Sequence, residues 1–291
     1  MFAELFSIVA PVYLTAALGF LWVRFGRSFD TRMITELVML VGAPCLVFSA
    51  LVQLEVERAS LLRMAIATTI VTAAFGLVGW LVLRSLKLPR TTYLAPIMFG
   101  NTGNLGLPIC LFAFGEAGLA LGVCFFATTT LLNFTVGLWA WSGRLSVREL
   151  LETPLFHATV LAALAVAFEI RVPRWIQNTT SIIGQMTIPL MAFTLGVTLA
   201  RLRLAHVWRS TWLSIVRFVL VMGTAFVVAD LLGLTGLERS VFLVDCAMPP
   251  AVINYLLAQK YERNPLEVAG LVVVSTLLAF LVLPAILAWV L

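Results

Sequence analysis

The sequence predicts an all-α membrane protein of ten transmembrane helices, arranged as two inverted five-helix repeats with the fourth and ninth helices broken. Three observations predict it. Of 291 residues, 62% are apolar and 11% charged, with mean hydropathy +1.05, whereas a soluble domain carries about 25% charged residues. Ten apolar blocks follow one another without a long linker. Landmarks of the first five blocks recur in the second five at a near-constant spacing. Such a composition cannot cover a water-facing globule, which excludes a soluble enzyme, a disordered chain and a disulfide-stapled secreted domain.

The blocks lie at 5–23, 34–53, 62–83, 92–114, 118–141, 154–170, 176–199, 208–232, 240–258 and 266–290. Each is close to the ~20 residues that cross a hydrocarbon core, and β-barrel strands would be shorter and alternating. The chain start, MFAELFSIVAP, lacks a basic segment and a small-residue cleavage pattern, so it reads as the first span and not as a removable signal. Cys45, Cys110, Cys124 and Cys246 fall inside apolar blocks without metal-ligand spacing and read as small buried hydrophobes. Trp22, Trp80, Trp139, Trp141, Trp208 and Trp289 sit toward span ends, where interfacial anchors belong.

The net charge of +5 is spread in ones and twos between apolar blocks, which is no nucleic-acid footprint. Arg24, Arg27, Arg32, Arg84, Lys87, Arg90, Arg144, Arg148, Arg201, Arg203, Arg209, Lys260 and Arg263 fall in one set of connections. Arg58, Arg63, Arg171, Arg174 and Arg239 fall in the other. Positive charge favours the cytoplasmic side, so both termini are expected on the outer face.

The repeat is read from four matches. PVYLTAALGF from Pro11 pairs with PLFHATVLAAL from Pro154, and PCLVF from Pro44 with PLMAF from Pro189. Arg63 pairs with Arg209, and TTLLNF at 129–134 with STLLAF at 275–280. The offsets are 143, 145, 146 and 146, each joining span n to span n + 5. Five is odd, so the second copy enters from the opposite side, as in many secondary transporters. Residues 1–142 and 154–291 form the two copies, with 143–153 as a short cytoplasmic connection.

The fourth block contains Gly100-Asn101-Thr102-Gly103-Asn104-Leu105-Gly106-Leu107-Pro108. Gly costs about 1 kcal/mol and Pro about 3 kcal/mol in a helix interior, so this stretch is poor helix material. Backbone groups freed there cannot face lipid and must line protein or a water-filled cavity. Asn101 and Asn104 add amide groups to one side. A kinked packing helix is the plainer alternative. The ninth block carries a matching interruption, Asp245-Cys246-Ala247-Met248-Pro249-Pro250-Ala251-Val252-Ile253-Asn254, in which Asp245 precedes Pro249 by four residues as Asn104 precedes Pro108. Paired interruptions in matching spans point to a substrate site. The half-helices beyond them would aim amino ends inward, which suits an anion.

Asp245, an intramembrane carboxylate, is a candidate for a coupling proton or cation, or for a salt bridge to Arg217. Arg217 could instead snorkel or touch the substrate. Asp230 and Glu169 read as interfacial. Pro44 with Cys45 and Ser49, and Pro189 with Gln185 and Thr187, mark two kinked spans that could face the broken pair or kink only for packing. Asn133 is polar where its repeat mate is Ala279. No G-x-x-x-x-G-K-[ST] motif occurs, so no ATP hydrolysis is expected. The only histidines, His157 and His206, form no H-E-x-x-H motif, and no Arg-rich span suggests a voltage sensor. A carrier rather than an enzyme is the reading left, with no cofactor or metal expected.

FGNTGNLGLP at 99–108, and AMPPAVINYLLAQKY followed by VAGLVVVSTLLAFLVLP, resemble the bacterial auxin efflux carrier family, which includes relatives of plant PIN proteins and malonate/malate permeases. The resemblance runs over all ten spans and lacks the plant members' long central loop. It implies a scaffold of spans 1, 2, 6 and 7 and a transport domain of spans 3, 4, 5, 8, 9 and 10, in which broken spans 4 and 9 cross. It implies elevator-like transport of carboxylate-bearing anions across a bacterial inner membrane by a homodimer. It places the crossing prolines at Pro108 and Pro249 or Pro250, and the polar site at Asn101 and Asn104. Thr102, Gly103, Asn133 and Asn254 complete the expected substrate site. Two alternatives stay open: a sodium-coupled symporter like the bile-acid carriers, and a channel or membrane sensor.

Overall fold

The computed structural model describes residues 2–53, 56–143, 147–202 and 207–291; Arg144, Arg203 and His206 lie outside them, with part of the 143–153 connection. The described chain is 85% helix and has no strand. Helix α1 is Phe2–Arg24. Helix α2, Thr31–Leu37, starts where the Asp30 carboxylate accepts from Met33 N–H at 3.0 Å, a side-chain cap on an otherwise unpaired donor. A π-helical turn, Val38–Gly42, joins it to α3, Ala43–Gln53. Then come α4, Arg58–Ser85, and the short α5, Arg90–Met98.

A second π-helical turn, Thr102–Gly106, leads into α6, Leu107–Leu132. A third, Asn133–Gly137, leads into α7, Leu138–Ser142, which stops at the left-handed Gly143. Helices α8 (Val147–Leu151), α9 (Pro154–Ala167), α10 (Arg174–Arg201) and α11 (Val207–Leu231) follow. Helices α12 (Gly236–Cys246), α13 (Ile253–Lys260) and α14 (Pro265–Val290) complete the chain.

Among the described residues, seven helical segments are long and apolar enough to cross a bilayer: 5–24, 31–52, 58–85, 102–142, 174–201, 207–231 and 265–290. The ten apolar blocks differ from these at definable places. Helix α9 is short, at 14 residues. The ninth block is split into α12 and α13. The fourth is split between α5 and the start of α6, which runs on into the fifth. At 1.5 Å per residue, 41 residues reach about 60 Å, twice the hydrocarbon thickness. Gly115, at φ 67° and ψ −160°, breaks that run.

Packing sorts the helices into two groups. Helix α1 lies against α10, and α3 against α9 and α10. Glycines bring α1 and α10 into backbone contact: a Cβ on Gly19 or Gly196 would collide with the carbonyl of Phe193 or Ala16 respectively, the close approach that membrane helices use in place of a hydrophobic driving force. Helices α4, α5, α6, α11, α12, α13 and α14 form the second group. Along the seam between the groups, α1 and α3 touch α6, and α10 touches the Thr102–Gly106 turn. Large apolar side chains such as Phe6, Leu62, Leu77, Val219 and Leu281 are more than 60% exposed on the perimeter, as a lipid-facing surface requires. Trp141 departs from expectation. It is 1% exposed, because α7 packs on α5, so it is a core residue and not an interfacial anchor.

Candidate functional site

The site is built where two interruptions meet. Helix α5 ends because Phe99 turns extended, at φ −113° and ψ 103°. Helix α12 ends at Cys246, and helix resumes only at Ile253. Gly100 and Pro250 pair as an isolated antiparallel bridge. Asn101 N–H donates to Pro249 O at 2.6 Å, and Ala251 N–H donates to Phe99 O at 3.0 Å. Asn254 Nδ2 donates to Phe99 O at 3.2 Å and to Ala251 O at 3.0 Å. Each broken segment therefore satisfies the other's main chain, which is how irregular backbone survives where water is absent.

One face of this crossing carries a buried cation. Arg217, from α11, is 4% exposed; its Nε donates to Pro96 O at 2.8 Å and its Nη1 to Met248 O at 3.0 Å. Those carbonyls belong to the carboxyl ends of α5 and α12, and a helix carboxyl end is equivalent to roughly half a negative charge. Two such ends offset one guanidinium. Among the described residues no ion pair joins Arg217 to Asp245, which excludes the salt bridge considered for that pair.

The amino ends lie elsewhere. Thr102, Gly103 and Asn104 open the turn that starts α6, and Val252 and Ile253 open α13. Their N–H groups find no main-chain acceptor, as expected for the first turn of a helix. Both sets line one cavity of about 390 Å³ on the seam, walled by Phe126, Thr129, Thr130 and Asn133 of the second group and by Met191, Thr194 and Thr198 of α10. Asn101 Nδ2, Asn133 Oδ1 and Thr194 Oγ1 are buried at this cavity without a hydrogen-bond partner. An orphaned buried polar atom costs about 1–3 kcal/mol, and three of them belong to residues that line this one cavity. Thr31, Thr35 and Arg201 also line it. Arg201 donates to Thr31 Oγ1 and to Phe29 O, both at 2.6 Å.

The family model described as membrane transport protein matches residues 5–140 and 139–287. The chain belongs to that family, the auxin efflux carriers. It is a membrane transporter. An uncharacterized transporter of Methanocaldococcus jannaschii is 32% identical over 207 residues, covering 67% of this chain and 66% of its own length. The chain thus matches just under two thirds of that relative. An uncharacterized transporter of Methanothermobacter thermautotrophicus is 27% identical over 268 residues, covering 88% of this chain and 87% of its own.

In this member of the family, Asn101, Thr102, Gly103, Asn104 and Asn133 line the one cavity. Pro249, Pro250 and Asn254 build the crossing without lining it. Pro108, Gln185 and Pro189 line a different cavity, of about 420 Å³, at the opposite end of the seam, beside Glu116. Pro44 is the second residue of α3, and neither it nor Cys45 lines either cavity. Asp245 is 1% exposed and sits behind the Thr102–Gly106 turn, with Cys110 Sγ 3.8 Å from its Oδ2. Asp230 and Glu169 pair with Arg239 at 2.6 Å and Arg58 at 2.9 Å at exposed helix ends. Thr129, Thr130, Thr194, Thr198 and Arg201 were not foreseen. Their signal is spacing: Thr129 with Asn133 at i, i+4, and Thr194, Thr198 and Arg201 at i, i+4, i+7, each set on one helix face.

Proposed function

We propose that the protein is a secondary carrier of small organic anions, binding a carboxylate in the 390 Å³ cavity at the crossing. The observation that carries this reading is the convergence of two half-helix amino ends and the unpartnered Asn101 amide on one cavity. Each amino end is equivalent to roughly half a positive charge. Arg217 sits on the carboxyl ends and leaves those amino ends uncompensated, so the cavity offers about the potential that one carboxylate needs. Asn101 Nδ2 and the N–H groups of Thr102, Gly103 and Asn104 would donate to it, and Asn133 Oδ1 and Thr194 Oγ1 would take a polar group at its other end.

The same reading gives the architecture its roles. Ten spans in two inverted repeats follow if α5 with the start of α6, and α12 with α13, each count as one broken span. The group α1, α2–α3, α9 and α10 is then the scaffold, and the other group carries the substrate. Cavities at opposite ends of one seam support elevator-like alternating access, with the larger group sliding along α10. The 390 Å³ cavity reaches Arg201, at the end that charge asymmetry assigns to the cytoplasm. Both termini would lie outside a cytoplasmic membrane, with a homodimer as the working unit.

Purified protein in liposomes preloaded with malonate, malate or indole-acetate tests this by counterflow of the labelled compound. At least one is expected to exchange, with the Michaelis constant of Asn101→Ala raised about 10- to 100-fold, the worth of one hydrogen bond to a charged group. Absence of exchange with all three, or an unaltered constant in Asn101→Ala, overturns the assignment.

A further inference from the structure

Asp245 belongs to no cavity and no ion pair described above, yet it is a carboxyl group in the middle of the molecule. Its Oδ1 has no hydrogen-bond partner. Its position is set by two glycines of α6 and the turn before it. A methyl group on Gly106 would land on Oδ1, and one on Gly122 would meet Oδ2 at 3.6 Å. Gly106 is the residue immediately before α6. The Asp245 carboxyl therefore abuts the amino end of α6 from behind, while Thr102, Gly103 and Asn104 of the same turn face the cavity.

We propose that Asp245 is a proton site linked to the anion site through this shared amino end, so that one proton travels with each anion; this rests on the carrier reading above. The partial positive charge of a helix amino end is confined to its first turn. A carboxylate at Asp245 and a carboxylate in the cavity draw on the same charge from two sides and repel each other across it. Neutral Asp245 leaves the potential whole for the anion, and a bound anion raises the proton affinity of Asp245 by the same factor, since linkage is reciprocal. The loaded carrier then moves with both, and the unloaded one returns with neither.

The surroundings fit a proton better than a metal ion. The polar neighbour of the carboxylate is the Cys110 thiol at 3.8 Å, and hard cations take several oxygen ligands instead. Among the described residues no group of three His, Cys, Asp or Glu side chains could hold a metal. The titratable groups around Asp245 are few. Cys110 comes from α6, Cys246 is its neighbour on α12, and Arg217 from α11 is committed to Pro96 O and Met248 O. Arg63 of α4 is paired with Glu238 at 2.7 Å, and Glu267 of α14 with Arg209 at 3.2 Å.

The test uses liposomes containing the pH dye pyranine and whichever of malonate, malate and indole-acetate exchanges. Counterflow is measured between about pH 6.5 and 8.5, where these acids are ionised. The Michaelis constant is expected to rise with pH, approaching tenfold per unit, and net uptake should carry one proton per anion. Asp245→Asn should exchange with a constant that no longer varies with pH and without proton movement. A flat pH profile with no proton counted overturns the proposal, as does an Asp245→Asn carrier that still moves protons or an uptake driven by sodium instead. The wild-type proton count stands even where the variant fails to fold. Absence of counterflow in the wild type would instead sink the carrier reading itself, because exchange needs no ion gradient.

Discussion

The two interruptions occupy matching places in the two halves of the chain, but they are made of different material. The first, Gly100 to Gly106, breaks its helix with glycines, which keep their N–H groups. Those of Thr102, Gly103 and Asn104 remain free to face the cavity. The second breaks with Pro249 and Pro250, which have no N–H to offer. It contributes a carbonyl to the crossing through Pro249 O and reaches the cavity only at Ala251, Val252 and Ile253. The residues four positions before Pro108 and Pro249 diverge in the same way. Asn104 lines the cavity, whereas Asp245 is buried behind it. On the carrier reading the labour is unequal: the glycine break would supply most of the donors to the anion, and the proline break would add one amino end and the support of the crossing.

The support side is where the largest effect is expected. Removing the guanidinium in Arg217→Met leaves two buried helix carboxyl ends without their donor. Each charged hydrogen bond is worth about 1.5–3 kcal/mol, so a loss of about 3–5 kcal/mol is expected, read as a fall in the thermal midpoint of the detergent-solubilised protein. Arg217→Lys keeps the charge and can reach one of the two carbonyls, so it should recover part of that loss. A midpoint unchanged in Arg217→Met would mean that the carboxyl ends need no counter-charge, and the contrast between the faces of the crossing would fall.

The next pair separates the two breaks directly. Asn101 and Asn254 are both buried amides at the crossing, but it is the donor, Nδ2, that lacks a partner on Asn101 and the acceptor, Oδ1, on Asn254. Asn254 Nδ2 is engaged with Phe99 O and Ala251 O. Asn254→Ala is expected to cost about 1–3 kcal/mol of stability with little change in the Michaelis constant, the mirror image of Asn101→Ala. Equal effects of the two on affinity would show that both breaks recognise substrate.

The sequence announced both breaks because glycine and proline declare their cost locally, wherever the chain folds. It announced Asp245 for a similar reason, since a carboxylate among apolar residues is conspicuous. Which way that carboxylate faces was not legible. Its seat is made by Gly106 and Gly122, more than a hundred residues earlier, and their meeting depends on how α12 packs on α6. The α10 wall of the cavity was hidden for the opposite reason: Thr194 and Thr198 satisfy a helix pattern that many packing faces share, and nothing local says that the seam leaves a gap beside them. Trp141 misled because nearness to a span end implies the interface only until another helix covers it.

Arg201 offers the smallest and most conditional effect. It ends α10, lines the 390 Å³ cavity and has no carboxylate partner among the described residues. Its guanidinium is exposed, so its field is carried through water and screened beyond about 8 Å at physiological salt. An exposed charge of this kind acts on the approach of a ligand more than on its bound state. Arg201→Gln should therefore lower kcat/KM for anion exchange from the cytoplasmic side by about two- to fivefold in dilute buffer, roughly 0.5–1 kcal/mol, and the difference should vanish at high salt. If the loss persists at high salt, Arg201 touches the bound anion, and recognition is then shared between the glycine break and the scaffold instead of residing in the moving group alone.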